Sequence, residues 1–133
     1  MRTFSTRVRA RYAETDAAEV LYYGSFMQYF EVGKMEMYRE LGLPYSRDFP
    51  IVEVFCRYLA PAHFDELLEI RSRFDELREK SVRVASEVLR VEPDGSFTKI
   101  AEGYTTHVHV NEHGRAAPLP PLFAEVLAHL EDG

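Results

Sequence analysis

Side chains alternate along residues 6–12, with Val8, Ala10 and Tyr12 on one side and Arg7, Arg9 and Arg11 on the other. That period of two belongs to a half-buried strand, so the chain is expected to open with one. Between residues 25 and 41 the period changes. On a 3.6-residue wheel Phe26, Phe30, Gly33, Met37 and Leu41 form one apolar stripe, with Gln28, Glu31 and Arg39 opposite. This predicts an amphipathic helix of several turns. Ser25 is placed to cap its start, Gly42 suits the left-handed position past its end, and Pro44 blocks continuation. Gly33 inside the stripe costs the helix about 1 kcal/mol relative to alanine, which suggests that the helix axis comes close to something flat, such as a sheet.

After Pro50 the pattern predicts strands over residues 51–59, 67–74, 81–91 and 97–110. The last two are joined by Glu-Pro-Asp-Gly-Ser, which is hairpin chemistry, and the strands should be antiparallel. Leu122, Val126, Leu127 and Leu130 recur at helical spacing after a double proline, so a short C-terminal helix is expected. One long helix laid on an antiparallel sheet of about five strands is an α+β domain. A single helix covers only one face of such a sheet. The other face or an edge needs cover, most simply from a second copy, and the expected state is a homo-oligomer, dimer or tetramer.

With 133 residues there is room for one domain, residues 1–133, and one core. The net charge of -6 argues against a nucleic-acid partner, because phosphate neutralisation demands clustered lysine and arginine. No apolar run approaches a membrane span or a signal core, so the expectation is a cytoplasmic protein without a membrane partner. The single cysteine, Cys56, lies in an apolar run and reads as a buried structural thiol.

Asp16 stands where the first strand ends and the long helix is about to begin. A substrate atom near it would also be near helix N–H groups that lack an intrahelical partner, and these donors suit a developing oxyanion. A carboxylate and an oxyanion site facing one carbonyl fit hydrolysis of an activated acyl group, with the carboxylate as nucleophile or general base. Its weak basicity favours a good leaving group, so a thioester suits it better than an amide. From spacing alone, the commoner use of an aspartate here is to cap a turn or a helix. By the same reasoning Glu14 reads as an exposed end-of-strand residue, and Tyr22, Tyr23 and Phe26 as core aromatics.

The stretch "RYAETDAAEVLYYGSFMQYFEVGKMEMYRELG" resembles the signature of the acyl-CoA thioesterases of the 4-hydroxybenzoyl-CoA thioesterase and YbgC type, and "RYLAPAHFDELLEIRSRF", "REKSVRVASEVLR" and "GRAAPLP" resemble its later segments. The resemblance spans nearly the whole chain. It implies a hotdog fold, in which the sheet wraps the long helix, protomers joined so that their sheets run on into one, and active sites at the dimer interface. It implies acyl-CoA hydrolysis to free acid and CoA with no required cofactor beyond the coenzyme A moiety of the substrate. The family's catalytic aspartate falls on Asp16, and Tyr12 matches a tyrosine near the site. Tyr23 falls where YbgC-type members have histidine and the hydroxybenzoyl type has tyrosine, and N–H groups around Tyr23 and Gly24 would polarise the carbonyl. With tyrosine there, a histidine partner for Asp16 is missing. Glu19 replaces the usual glycine of the turn. Tyr22, Phe26 and Phe55, with Tyr29, Phe30 and Tyr58, would line an acyl pocket, and Arg57, Arg78, Lys80 and Ser81 would receive the nucleotide phosphates.

His107 and His109 are two apart on a predicted strand and share a side, as metal ligands do, yet no third ligand stands at a recognised spacing. No metal site is expected. His63 and His113 read as structural or exposed. Three rivals keep the fold: an acyl-carrier-protein thioesterase, which would want a basic docking surface; a non-catalytic acyl-CoA binding module; and a hydratase, which would pair its aspartate with a nearby downstream histidine where this chain has Leu21, Tyr22 and Tyr23.

Overall fold

The computed structural model describes residues 2–44 and 47–131. Strand β1 (Phe4–Arg9) leads through a 3-10 turn (Tyr12–Glu14) to helix α1 (Ser25–Leu41), followed by β2 (Ile51–Tyr58), β3 (Leu67–Leu77), β4 (Ser81–Val91), β5 (Phe97–Val108) and helix α2 (Pro121–Glu131). The strands form one antiparallel sheet in the order β1-β3-β4-β5-β2. Strands β1 and β2 are neighbours in sequence but opposite edges of the sheet, so the segment holding α1 crosses its whole width. None of the described helices is long and apolar enough to cross a membrane.

The predicted helix stands at its expected bounds. Phe26, Phe30, Gly33 and Met37 are buried along one stripe, and Gly42 takes the left-handed conformation at φ 73°. Ser25 does not cap the helix: Gly24 holds the cap position without a side chain, and the Ser25 hydroxyl donates to the Glu14 carbonyl instead. Gly33 marks the close approach to the sheet, since a Cβ there would lie 2.5 Å from Ser72 Oγ and 2.6 Å from Ile70 Cγ2.

Two apolar clusters lie along the helix. Phe26, Tyr29 and Phe30 pack with Leu68, Ile70, Val88 and Ile100. Met37 and Tyr38 pack with Phe74, Val82 and Val84, closed by Phe123, Leu127 and Leu130 of α2. Each such burial contributes about 1.5–3 kcal/mol relative to leaving the side chain in water. Leu122 stays 46% exposed and Phe123 takes the inward position, one residue on from the expected stripe.

The first strand stops earlier than its alternation suggested. Ala10 exchanges backbone hydrogen bonds with the loop before β3, donating to Glu66 O and accepting from Asp65 N–H. The Arg11 N–H turns instead to the Glu14 carboxylate. Tyr12, expected beside Val8 and Ala10, is therefore 76% exposed.

Helix α1 lies on β1, β3 and β4. Strand β2 pairs only with β5 and leaves Ile51, Val52, Val54 and Phe55 exposed, so a largely apolar edge strand stands open on both faces.

Candidate active site

Asp16 sits in a tight hairpin. Thr15 and Leu21 face each other across a single antiparallel bridge, the Asp16 N–H donates to Val20 O at 2.9 Å, and the Glu19 N–H donates to Asp16 O at 2.9 Å. Glu19, the residue in place of the expected glycine, adopts φ 66°. The turn keeps its left-handed geometry at a steric cost of roughly 1–2 kcal/mol. The Ala18 N–H donates to Asp16 Oδ1 at 2.8 Å, so the aspartate caps its own turn and not the helix. This bond fixes the carboxyl plane, while Oδ2 has no protein partner among the described residues, and the side chain is exposed.

The start of α1 supplies the second element. Ser25 donates its N–H to Tyr22 O, Phe26 to Tyr23 O at 3.4 Å and Met27 to Gly24 O at 3.3 Å. The N–H groups of Tyr23 and Gly24 donate to no protein group among the described residues. The Tyr58 hydroxyl donates to Tyr23 O at 2.9 Å and so holds the peptide that carries the Gly24 N–H. Burial, with the neighbouring Cys56 thiol adding to it, pushes that hydroxyl up to about 12.

Asp16, Leu21, Tyr23, Phe26 and Tyr58 line one cleft of about 420 Å³, whose far wall is the segment from Leu59 through Ala60 and Pro61 to Ala62. The hairpin is pinned to that wall by the Leu21 N–H, which donates to Ala62 O at 2.8 Å. Phe26 meets the Tyr58 ring edge-on at 5.2 Å, and Tyr23 meets it at 6.4 Å. The cleft therefore joins a carboxylate, a helix start and an aromatic wall.

The other sequence candidates lie elsewhere in the protomer. Tyr22 is exposed and leans on Tyr23 with ring centres 4.4 Å apart. Tyr12 packs edge-on against Phe64. Tyr22 and Tyr23 are thus surface aromatics, not the core residues that composition suggested. Phe55 stacks on Tyr104 at 5.5 Å, on the sheet face away from α1, and Arg57 lies over the Phe55 ring with Glu102 at 3.5 Å. Arg78, Lys80 and Ser81 form the β3–β4 turn, the end of β3 opposite the Asp16 hairpin. Eleven strand residues separate the two ends, about 33 Å at the usual rise.

Glu14 is the residue that sequence reasoning misplaced. It is 5% exposed, and its carboxylate accepts from Arg11 N–H at 3.0 Å, Arg11 Nε at 2.8 Å and the Tyr29 hydroxyl at 3.1 Å. Burial and the Glu14 charge together drive the Tyr29 hydroxyl well above its usual range. A tyrosine in the buried stripe of a helix needs a partner for its hydroxyl, and that was the available signal.

His107 is buried, with Nε2 2.8 Å from Thr105 Oγ1. Burial and the nearby Lys34 charge lower it to about 4. His109 Nδ1 lies 2.7 Å from Pro118 O. Among the described residues no group of three or more His, Cys, Asp or Glu side chains is placed to hold a metal.

Residues 10–127 match the thioesterase-like superfamily. The chain is 30% identical over 95 residues to the acyl-CoA thioester hydrolase YbgC of Escherichia coli O6:H1, covering 67% of this chain and 71% of that protein. A gentisyl-coenzyme A thioesterase structure superimposes with a TM-score of 0.79 at 27% identity, over 91% of this chain and 99% of the other. A 1,4-dihydroxy-2-naphthoyl-CoA thioesterase from Synechocystis superimposes with a TM-score of 0.87 at 23% identity, over 98% of each chain, which identifies the architecture as the hotdog fold. Given a family match that covers nearly all of the chain and a relative 30% identical over two thirds of it, the protein belongs to the thioesterase-like superfamily.

Proposed function

We propose that this protein hydrolyses acyl-CoA thioesters to free acid and CoA, with Asp16 as the carboxylate that acts on the acyl carbon and the Tyr23 and Gly24 N–H groups as oxyanion donors. The observation that carries this reading is one cleft lined by Asp16 and Tyr23, with one Asp16 oxygen and the Tyr23 and Gly24 N–H groups at the helix start unpartnered among the described residues. In the general-base route, a water attacks the carbonyl carbon and gives its proton to Asp16. The carbonyl oxygen takes up charge against the two amides, the C–S bond breaks, and the thiolate leaves with that proton. In the nucleophilic route Asp16 displaces the thiolate to form a mixed anhydride, which water opens. Both routes suit a thiolate leaving group and a weakly basic carboxylate.

The site is read as completed by a second copy. The open β2 edge favours antiparallel pairing with its equivalent in a homodimer or a tetramer built from such dimers. A two-fold axis there reverses the partner, so the partner's β3–β4 turn comes to the same end as this chain's Asp16 hairpin. Arg78, Lys80 and Ser81 are then available to the nucleotide phosphates from across the interface, although about 33 Å away within one chain.

The test is turnover of an acyl-CoA panel by the wild type and Asp16→Asn. A loss in kcat/KM of about 10³-fold or more, close to 4 kcal/mol, is expected. An unchanged rate removes Asp16 from the mechanism.

A further inference from the structure

We infer that Glu14 is a positioning residue, whose buried carboxylate fixes the Asp16 hairpin against the first turns of α1. This rests on the proposed hydrolytic role of Asp16.

Glu14 closes the 3-10 turn and lies two residues before Asp16. Its side chain faces inward and Asp16 faces solvent. The oxygens of this one residue accept five hydrogen bonds. Its carboxylate accepts the Arg11 N–H, Arg11 Nε and the Tyr29 hydroxyl. Its carbonyl accepts the Tyr22 N–H at 2.8 Å and the Ser25 hydroxyl at 3.0 Å. The partners come from three places: the strand exit before the hairpin, the chain leaving the hairpin, and the first two turns of the helix. Among the described residues no other side-chain hydrogen bond ties the hairpin's first arm to α1. The separation between the Asp16 carboxylate and the Tyr23 and Gly24 amides is therefore set through Glu14.

A buried carboxylate is an expensive way to fill space, since an apolar side chain of that size does so without desolvating a charge. What the charge supplies is three acceptor directions at once, held by an exposed arginine on one side and a core tyrosine on the other. Glutamine offers an acceptor to Tyr29 but sets an N–H₂ group against Arg11 Nε. Tyr29→Phe keeps the ring against Phe26, leaves every charge in place and cuts only the carboxylate's tie to the helix, the Ser25 bond to the Glu14 carbonyl remaining.

The experiment measures kcat and KM separately for Glu14→Gln, Tyr29→Phe, Asp16→Asn and Glu14→Gln/Asp16→Asn, well below each melting temperature. Glu14→Gln is expected to lower kcat about 10- to 100-fold and Tyr29→Phe about 3- to 10-fold, with KM within about twofold in both. In the Asp16→Asn background Glu14→Gln should cost less than a further twofold, because a residue acting through Asp16 loses its effect when Asp16 is gone. A kcat within twofold of wild type in folded Glu14→Gln and Tyr29→Phe overturns the inference. So does full additivity in the double variant. Should Glu14→Gln fail to fold, Tyr29→Phe alone decides. Retained activity in Asp16→Asn refutes the hydrolytic reading itself, a result distinct from retained activity in the Glu14 and Tyr29 variants.

Discussion

Tyr58→Phe removes one oxygen atom and keeps a ring whose edge-on contacts with Phe26 and Tyr23 remain available. What is lost is the 2.9 Å donation to Tyr23 O. That carbonyl accepts one other bond, from the Phe26 N–H at 3.4 Å, at the long end of the useful range. The hydroxyl is thus the main restraint on the Tyr23–Gly24 peptide. Because the C=O and N–H of one trans peptide point in opposite directions, releasing Tyr23 O also releases the Gly24 N–H. Deleting a whole oxyanion donor costs about 2.7–4 kcal/mol, but here the donor survives and only its orientation loosens. The loss is therefore set by the restraint, about 0.5–1.5 kcal/mol, which corresponds to roughly a 2- to 12-fold fall in kcat. KM should stay within about twofold, since the aromatic wall is intact. The same loss of stability lowers the melting temperature by roughly 2–6 °C for a domain of this size. Steady-state CoA release, assayed well below the melting point, separates the two effects. An unchanged kcat would show that the peptide is oriented without the hydroxyl, and a raised KM at constant kcat would make Tyr58 a substrate wall only.

The remaining predictions concern pH and assembly. His107 binds its proton less readily folded, at about 4, than unfolded, at 6.5. Its contribution is therefore harmless above about pH 6.5 and costs stability as the pH falls toward 4, with a limiting slope of about 1.4 kcal/mol per pH unit. His107→Gln should flatten that part of the stability profile in urea titrations at pH 7, 6 and 5, and a slope equal to the wild type's would refute the assignment. Val54→Asp places a charge on the open β2 strand, so sedimentation should show a shift toward monomer together with loss of turnover. An unaltered oligomer would refute β2 as the interface.

Much of the fold was legible because its elements carry clean periods. The α1 stripe and its Gly42 stop, the Glu92–Ser96 hairpin and the order of elements all follow from local chemistry. The strand order did not, since β1 and β2 are at opposite edges and only tertiary packing places them there. At the candidate site, the chain alone placed Asp16 in the turn before the helix start and favoured a capping use, which the Ala18 N–H bond matches, while the role proposed for it came from the family resemblance. Glu14 was misread for a definite reason. In an extended strand, residues two apart face the same way, so Glu14 and Asp16 should share an environment. The 3-10 turn breaks that period at Glu14 and sends one carboxylate into the core and the other to the surface. Phe55, which the resemblance offered as a pocket residue, is turned by strand alternation to the outer face and does not line the Asp16 cleft within one protomer.

The proposed dimer edge and the proposed oxyanion donors are joined by one strand. Tyr58 is the last residue of β2, and β2 is held on one side only, by β5. A strand with one free edge opens at lower cost than one in the middle of a sheet, and its terminal residue opens most readily. In a lone protomer the Tyr58 hydroxyl therefore holds Tyr23 O from an edge strand of the sheet. On the proposed homodimer, pairing of β2 with its equivalent turns an edge into an interior strand and steadies the same hydroxyl. Assembly then acts on the oxyanion donors through Tyr58 as well as by bringing the partner's β3–β4 turn to the site, which explains why loss of the interface should lower kcat even where substrate is saturating.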